Sequence, residues 1–120
     1  MLAKILFPAL TGATILLALN TQEEKGKDVF VRRCGGCHAP DVNKEGPRLR
    51  GVYGRKAAAV GDFTYSDPLK KTGVHWDEAT LDRWLTDPDA MAPDTDMAFR
   101  LKDPEERKAV IAYLKTLKNP

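Results

Sequence analysis

The sequence predicts an all-α protein, and three observations support that class. Apolar residues recur at helical spacing near both ends of the chain, while no run alternates as a β-strand would. Proline and glycine concentrate between these segments, which is typical of loops. A chain of 120 residues has room for one domain after any targeting segment. The net charge of +2 argues against nucleic-acid binding, which needs a concentrated basic face.

The first 20 residues differ in composition from the rest. Lys4 is followed by an uncharged, mostly apolar stretch of about 15 residues, shorter than the ~20 that a membrane span needs. We therefore expect residues 1–20 to be a secretory signal peptide and residues 21–120 to be the folded domain. Ala18 and Asn20 make a poor cleavage site, so an uncleaved membrane anchor is an alternative and a buried N-terminal helix a third. A signal or an anchor places the domain in the periplasm.

Four helices are expected in the domain. The first begins at about residue 21, where Thr21 and Glu24 form a capping-box pattern, and it continues to a Cys-Gly-Gly-Cys-His run. The others cover about 66–73, 77–87 and 103–117. Their start signals are Asp67-Pro68, Asp77 and Asp103-Pro104. Two irregular stretches, 39–65 and 88–102, lie between them, and loops this long are uncommon in compact domains unless they surround something.

The run Cys34-Gly35-Gly36-Cys37-His38 is the spacing that attaches haem c covalently. The two thiols add to the two vinyl groups on one side of the porphyrin, and the adjacent histidine is then held beneath the ring. Cys34 and Cys37 are therefore expected to form thioethers, with His38 as the first axial ligand of the iron.

Other uses of the two cysteines fit less well. A disulfide between residues three apart would close a tiny loop and constrain the unfolded chain little. A thioredoxin-like dithiol occurs next to a βαβ unit, and the sequence shows no such pattern. A zinc site needs four ligands, and His75 is the only histidine besides His38.

A second iron ligand is expected far along the chain, on the opposite face of the haem. The candidates are His75, Met91 and Met97. Both methionines lie in an irregular, polar stretch where no helical face needs an apolar filler. Spacing alone does not separate Met91 from Met97.

Beyond these single motifs, the chain resembles the class I c-type cytochromes, in particular the small monohaem carriers of mitochondria and alphaproteobacteria. The resemblance covers about residues 23–118 and implies terminal helices that cross, with long loops wrapping one covalent haem. The ordered motifs that carry it are Gly26 to Phe30, CGGCH, Gly46-Pro47 with Leu49 and Gly51, Gly54-Arg55-Lys56, Phe63 to Ser66, Trp76, Trp84-Leu85, Pro93 to Met97 with Phe99, and Glu106-Arg107 leading to Ile111-Ala112-Tyr113-Leu114.

The resemblance also implies roles for single residues. Met97 matches the distal iron ligand in a Pro-x-Thr-x-Met pattern, which leaves Met91 to loop packing. The carbonyl of Pro47 matches the acceptor of the ring N–H of His38, a contact that fixes a metal-binding imidazole. The residues implied around the haem propionates or distal face are Arg55, Tyr65, Trp76 and Thr95.

Several positions depart from the family pattern. Asp94 stands where relatives carry glycine, so a positive φ is expected at an aspartate. Trp84 replaces the common tyrosine beside the methionine sulfur, and Leu69 replaces a common asparagine near the haem.

The surface around the haem also departs from that of mitochondrial relatives, which is ringed with lysines. Here Asp28, Asp89 and Asp96 occupy matching positions, and four aspartates with no basic residue lie between Thr86 and Met97. Electrostatic attraction should therefore guide this protein to acidic partners less strongly than it guides the lysine-ringed relatives.

The function implied is a single-electron carrier, not an enzyme. It would act as a monomer between a quinol–cytochrome c reductase and a terminal oxidase or photosynthetic reaction centre. One alternative is a dedicated electron-acceptor subunit of a periplasmic dehydrogenase. Another is a ligand-binding haem sensor or peroxidase-like enzyme, which would need an open iron position.

Overall fold

A computed structural model describes residues 13–120, apart from the side chains of residues 13–15 and 19. Five α-helices are present in this part of the chain: α1 (Ala13–Val29), α2 (Asp67–Thr72), α3 (Glu78–Thr86), α4 (Pro88–Met91) and α5 (Pro104–Thr116). A single wider turn, Phe30–Cys34, continues α1 with a hydrogen bond from the Gly35 N–H to the Phe30 carbonyl. Within residues 13–120 the extended backbone amounts to one isolated bridge between Lys56 and His75, so the predicted all-α class is correct.

The predicted start of the first helix is wrong. Thr21 lies inside α1, and its hydroxyl donates to the Leu17 carbonyl one turn earlier, at 2.8 Å. A threonine can make this bond within a helix, so its presence three residues before a glutamate does not require a helix end. The segment expected to be a signal or anchor therefore lies partly in α1, and its first 12 residues lie outside the described part. No helix among the described residues is long and apolar enough to cross a membrane.

The other helix signals are mostly confirmed. Asp77 caps α3 by accepting from the Thr80 N–H, and the Thr80 hydroxyl accepts from the Asp77 N–H. Asp103 caps α5 by accepting from the Glu105 N–H. Pro88 ends α3 as predicted, but it also opens α4, because proline suits the first turn of a helix.

The two long helices α1 and α5 pack directly against each other. Gly26 makes this possible, since a Cβ there would lie 2.8 Å from the Tyr113 Cβ and would collide with the Ala109 carbonyl. The Phe30 and Tyr113 rings meet at 5.4 Å beside this crossing. The predicted crossing of the terminal helices is therefore confirmed, and it fixes where Cys34 emerges from the end of α1.

The long loop between α1 and α2 is fastened by ion pairs on its outer side. Arg48 binds Asp62, and Arg50 binds Asp41, each with an N–O distance of 2.5 Å. These hydrogen bonds hold the pKa values of Asp41 and Asp62 below their usual range. The loop consequently folds back on itself and leaves its inner side facing the core.

Candidate functional site: a haem cavity

A cavity of about 410 Å³ opens between the loops and helices. All ten residues predicted for the site line it: Cys34, Cys37, His38, Pro47, Arg55, Tyr65, Trp76, Trp84, Thr95 and Met97. The rest of its wall is largely apolar and includes Leu49, Leu81 and Leu85. The irregular stretches therefore do surround a space, as their length predicted.

The CGGCH run forms a tight turn at the end of α1. The N–H groups of Cys37 and His38 both donate to the Cys34 carbonyl, at 3.1 and 2.8 Å. Both thiols are free in the described structure. Burial raises the pKa of the Cys34 thiol to about 11, and a hydrogen bond to Glu45 raises the pKa of Cys37. Both cysteines of the free chain are therefore thiols at neutral pH, side by side in the cavity wall.

The imidazole of His38 is held in one orientation. Its Nδ1 lies 2.8 Å from the Pro47 carbonyl, which can only accept, so Nδ1 carries the proton and Nε2 keeps its lone pair. Burial lowers the pKa of His38, which favours the neutral ring that a metal requires.

Gly46 is a part of this arrangement that the sequence analysis placed only in a motif. A Cβ at Gly46 would lie 2.7 Å from both ring nitrogens of His38 and would collide with the ring carbon between them. Glycine is therefore required there for the loop to close over the imidazole. In a sequence, a glycine that makes room for a neighbouring ring looks the same as any other loop glycine. The contact of Gly46 with His38 was therefore not predictable.

Met97 lies in the same cavity wall, in the irregular segment between α4 and α5. Its sulfur accepts a hydrogen bond from the Trp84 indole N–H at 3.2 Å. Met91 packs against the core cluster of side chains, and neither it nor His75 lines the cavity. Of the three candidates for the second ligand, the fold brings Met97 alone to the cavity that holds His38.

A second group of polar residues lines another part of the cavity. Arg55 donates to the carbonyls of Arg50 and Arg48, both at 3.2 Å, while its buried Nε has no partner among the described residues. The Tyr65 hydroxyl accepts from the Val60 N–H at 3.1 Å and keeps its own proton to donate. The Thr95 hydroxyl is hydrogen-bonded to that of Ser66, at 2.9 Å.

Two residues of the site region have a positive φ without being glycine. Asp94 has a φ of 64°, as its position in the family pattern predicted, and its N–H donates to the Asp89 carboxylate at 2.8 Å. Ala58, in the cavity wall, has a φ of 60° that nothing in the sequence indicated.

Among the exposed charged residues of the cavity wall, Arg33 forms an ion pair, Glu45 accepts from the Cys37 thiol, and Asp96 forms no ion pair with a described residue. Three ion pairs occur in the segments that contribute to this wall or adjoin it. Asp28 binds Arg32, Arg33 binds Glu106, and Arg100 binds Asp87. The exposed residues of the cavity wall are Arg33, Cys37, Glu45, Thr64, Asp96, Ala98 and Phe99. One basic and two acidic side chains therefore accompany an apolar edge, and no lysine is among them.

These features fit a haem with covalent and axial links to the chain. The cavity offers two thiols beside a neutral imidazole, a thioether sulfur elsewhere in the wall, and largely apolar sides. The unpartnered guanidinium nitrogen of Arg55 is suited to the carboxylate of a propionate. The donor set and the shape of the cavity agree with the predicted cofactor.

Comparison with known proteins gives the same class. The family model described as cytochrome c matches residues 23–118. Cytochrome c2 iso-2 of Magnetospirillum molischianum is 50% identical over 88 residues, covering 71% of this chain and 91% of the relative. Cytochrome c2 of Rhodomicrobium vannielii is 44% identical over 116 residues, covering 90% and 92%. The solved structure of cytochrome cH from Methylobacterium extorquens superposes with a TM-score of 0.74 at 42% identity, covering 78% of this chain and 97% of that one.

An all-α fold whose loops enclose a cavity beside a CGGCH turn defines a c-type haem protein of class I. The chain belongs to the cytochrome c family. It is therefore an electron-transfer protein with one covalently bound haem c, not an enzyme.

Proposed function

We propose that the protein carries single electrons on a haem attached through Cys34 and Cys37, with His38 and Met97 as its axial ligands. The observation that carries this proposal is that a fixed imidazole and a hydrogen-bonded methionine sulfur line one cavity. Haem c bound there supplies an iron that alternates between Fe(II) and Fe(III), and methionine ligation raises its reduction potential.

The chain's own residues prepare this site in two ways. Pro47 fixes the His38 ring with Nε2 deprotonated, so the imidazole needs no proton loss to bind a metal. Leu81, Leu85 and Val110 supply the apolar wall that excludes water and disfavours the extra charge of the oxidised iron. With both axial positions taken, the ligand-binding and peroxidase-like alternatives lose the open position they need.

The polar wall of the cavity is suited to the haem propionates. Arg55 has a free N–H and Tyr65 a free O–H, and both line the cavity with Trp76. Burial lowers the pKa of Arg55, yet a guanidinium stays charged at neutral pH and attracts a carboxylate. Thr95 also lines the cavity, and its bond to Ser66 ties the segment before Met97 to the start of α2 while leaving the hydroxyl able to form a further hydrogen bond near the haem.

The setting proposed for this carrier is the periplasm, as a monomer, with residues 1–20 removed or kept as a membrane anchor. Its partners would be a quinol–cytochrome c reductase and a terminal oxidase or reaction centre, or a periplasmic dehydrogenase. The exposed cavity wall carries one basic and two acidic residues beside an apolar edge, which supports docking that depends little on electrostatic attraction to an acidic partner. Purification from native membranes separates the two roles, because a dedicated subunit stays with its dehydrogenase in fixed ratio and a carrier does not.

Replacement of the two methionines tests the ligand assignment. We expect Met97→Ala to abolish the weak sulfur-to-iron absorption band of the oxidised protein and to allow carbon monoxide to bind the reduced protein at neutral pH. Met91→Ala is the matched control, since Met91 packs on the core outside the cavity wall. Loss of the band in Met91→Ala but not in Met97→Ala would show that the assignment is wrong.

A further inference from the structure

Arg107, in the first turns of α5, joins three segments of the chain. Its Nε binds the Asp82 carboxylate of α3 at 2.8 Å. Its Nη1 donates to the carbonyls of Leu101 at 3.0 Å and Lys102 at 2.9 Å. The Arg107 side chain is only 12% exposed, whereas that of Asp82 is 48% exposed, so the guanidinium itself is largely shielded from water. One guanidinium thus links α5 and α3 to the end of the segment that carries Met97.

The segment from Ala92 to Lys102 is held mainly at its two ends. At the first end, the Thr95 N–H donates to the Ala92 carbonyl at 3.0 Å, and the Asp94 N–H donates to Asp89 at 2.8 Å. The Thr95 hydroxyl is also hydrogen-bonded to Ser66 at 2.9 Å. At the other end, the Leu101 N–H donates to the Leu85 carbonyl at 2.7 Å, and the Leu101 side chain is buried. Arg107 adds its two bonds at this second end.

The middle of the segment has few ties of its own. Asp96, Ala98, Phe99 and Arg100 are exposed, and the hydrogen bond found on the Met97 side chain is that from Trp84. Arg100 reaches Asp87 at 3.2 Å through an ion pair half open to solvent, which contributes little. The position of Met97 therefore depends strongly on how firmly the two ends are held.

We propose that Arg107 is a positioning residue that keeps the Met97 segment closed over the haem. It does not line the cavity and forms no hydrogen bond with Met97, and it acts through the Leu101 and Lys102 carbonyls. Without it, the segment would open more often and leave the iron accessible on that side. This inference rests on the proposed ligation by Met97.

Arginine is suited to this role for a geometric reason. Its planar fork binds a carboxylate with one nitrogen and two carbonyls with another, whereas a lysine ammonium is a single point on a flexible stem. Removal of the fork leaves an aspartate and two carbonyls without their donor. Hydrogen bonds to charged groups are strong enough that an opening equilibrium should change about tenfold or more.

Imidazole binding to the oxidised, haem-loaded protein measures this opening, because the added ligand binds iron only when Met97 has left. We expect Arg107→Gln to bind imidazole about tenfold more tightly than the wild type, and with a faster association rate. The imidazole affinity of Arg107→Lys should lie between those of the wild type and Arg107→Gln. A lysine keeps the charge near Asp82 but cannot reach both carbonyls.

Lys115→Gln is the matched control. It removes an ion pair between the same two helices, Lys115 to Glu78 at 3.8 Å, at a place away from the Met97 segment. Its imidazole affinity should stay within about twofold of the wild type, because exposed ion pairs contribute little. Guanidinium unfolding of each variant reports global stability separately from local opening. If Arg107→Gln does not incorporate haem, Asp82→Asn tests the same contact with the arginine still present.

The imidazole affinities of the variants either support or contradict the positioning role of Arg107. Tighter binding in the Arg107 or Asp82 variants, with Lys115→Gln unchanged, supports the positioning role. Unchanged imidazole affinity in Arg107→Gln, or in Asp82→Asn if Arg107→Gln takes up no haem, overturns it, as does an equal rise in Lys115→Gln that follows global stability. Absence of the sulfur-to-iron band from the wild type would instead contradict the ligation by Met97, so the two failures are distinct.

Discussion

Met97 and Trp84 are in contact in the cavity wall. The contact shows how the type of one residue, Trp84, can change the properties of the methionine sulfur. The indole N–H donates to the sulfur at 3.2 Å, at the position where the family resemblance implies a tyrosine. Trp84 also packs edge-on against Trp76, with ring centroids 5.4 Å apart, so its ring is held from two sides. If Met97 binds iron as proposed, a donor fixed on its sulfur would withdraw electron density from it and destabilise Fe(III) more than Fe(II).

Replacement of Trp84 by phenylalanine should therefore lower the reduction potential. Loss of one hydrogen bond of about 1 kcal/mol, felt mainly in one oxidation state, corresponds to roughly 40 mV at about 59 mV per tenfold change. Potentiometric titration of wild type and Trp84→Phe measures the difference. An equal or higher potential in the variant would show that the indole acts on the sulfur in some other way.

For single residues, the sequence predicted which ones belong to the site better than it predicted the contacts that they make. The CGGCH run specified the attachment site and His38, but it left the second ligand open among His75, Met91 and Met97. The positive φ of Asp94 followed from its place in the family pattern. The same conformation at Ala58 had no signal, because alanine rarely adopts a positive φ and nothing in its side chain indicates one. Gly46 and Glu45 gained their contacts with His38 and Cys37 from the way the loop folds back.

The helices illustrate which local signals decide an element and which do not. Asp77 and Asp103 each had a suitable side chain and a polar setting, and both cap helices as predicted. Thr21 had the same apparent signal inside α1, where its hydroxyl bonds the preceding turn instead. Pro88 both ended α3 and began α4, since a proline blocks the helix before it but suits the one after it.

The crossing of α1 and α5 makes a strong prediction about Gly26. Alanine is a better helix former than glycine by about 1 kcal/mol, so Gly26→Ala would stabilise an isolated α1. In the folded protein the added methyl collides with the Ala109 carbonyl and the Tyr113 Cβ. We expect a net loss of about 1–3 kcal/mol in the free energy of unfolding, measured with guanidinium.

Gly61→Ala is the control for this substitution. A Cβ added at Gly61 would meet no atom within 4 Å beyond its chain neighbours, and the φ of Gly61 lies outside the left-handed region. Its replacement should change the free energy of unfolding by no more than about 0.5 kcal/mol. Equal effects at the two glycines would mean that the helix crossing does not depend on the close approach at Gly26.

Over the whole molecule, the two terminal helices fix the CGGCH turn, and the loops between them build the rest of the cavity. The helices follow from local patterns of caps and apolar stripes, which a sequence displays directly. The loops follow from contacts between residues far apart in the chain, such as Arg48 with Asp62 and Arg107 with Asp82. A sequence does not display these contacts. The fold class was therefore predictable from the residues, while the shape of the cavity was not.

The central claim is that this fold holds one haem covalently through Cys34 and Cys37. Intact-mass measurement of the protein purified from native cells and denatured tests it most directly. We predict the mass of the chain, with or without residues 1–20, plus one haem, and no cysteine that reacts with an alkylating reagent. The mass of the chain alone, with two cysteines that react with an alkylating reagent, would contradict the account.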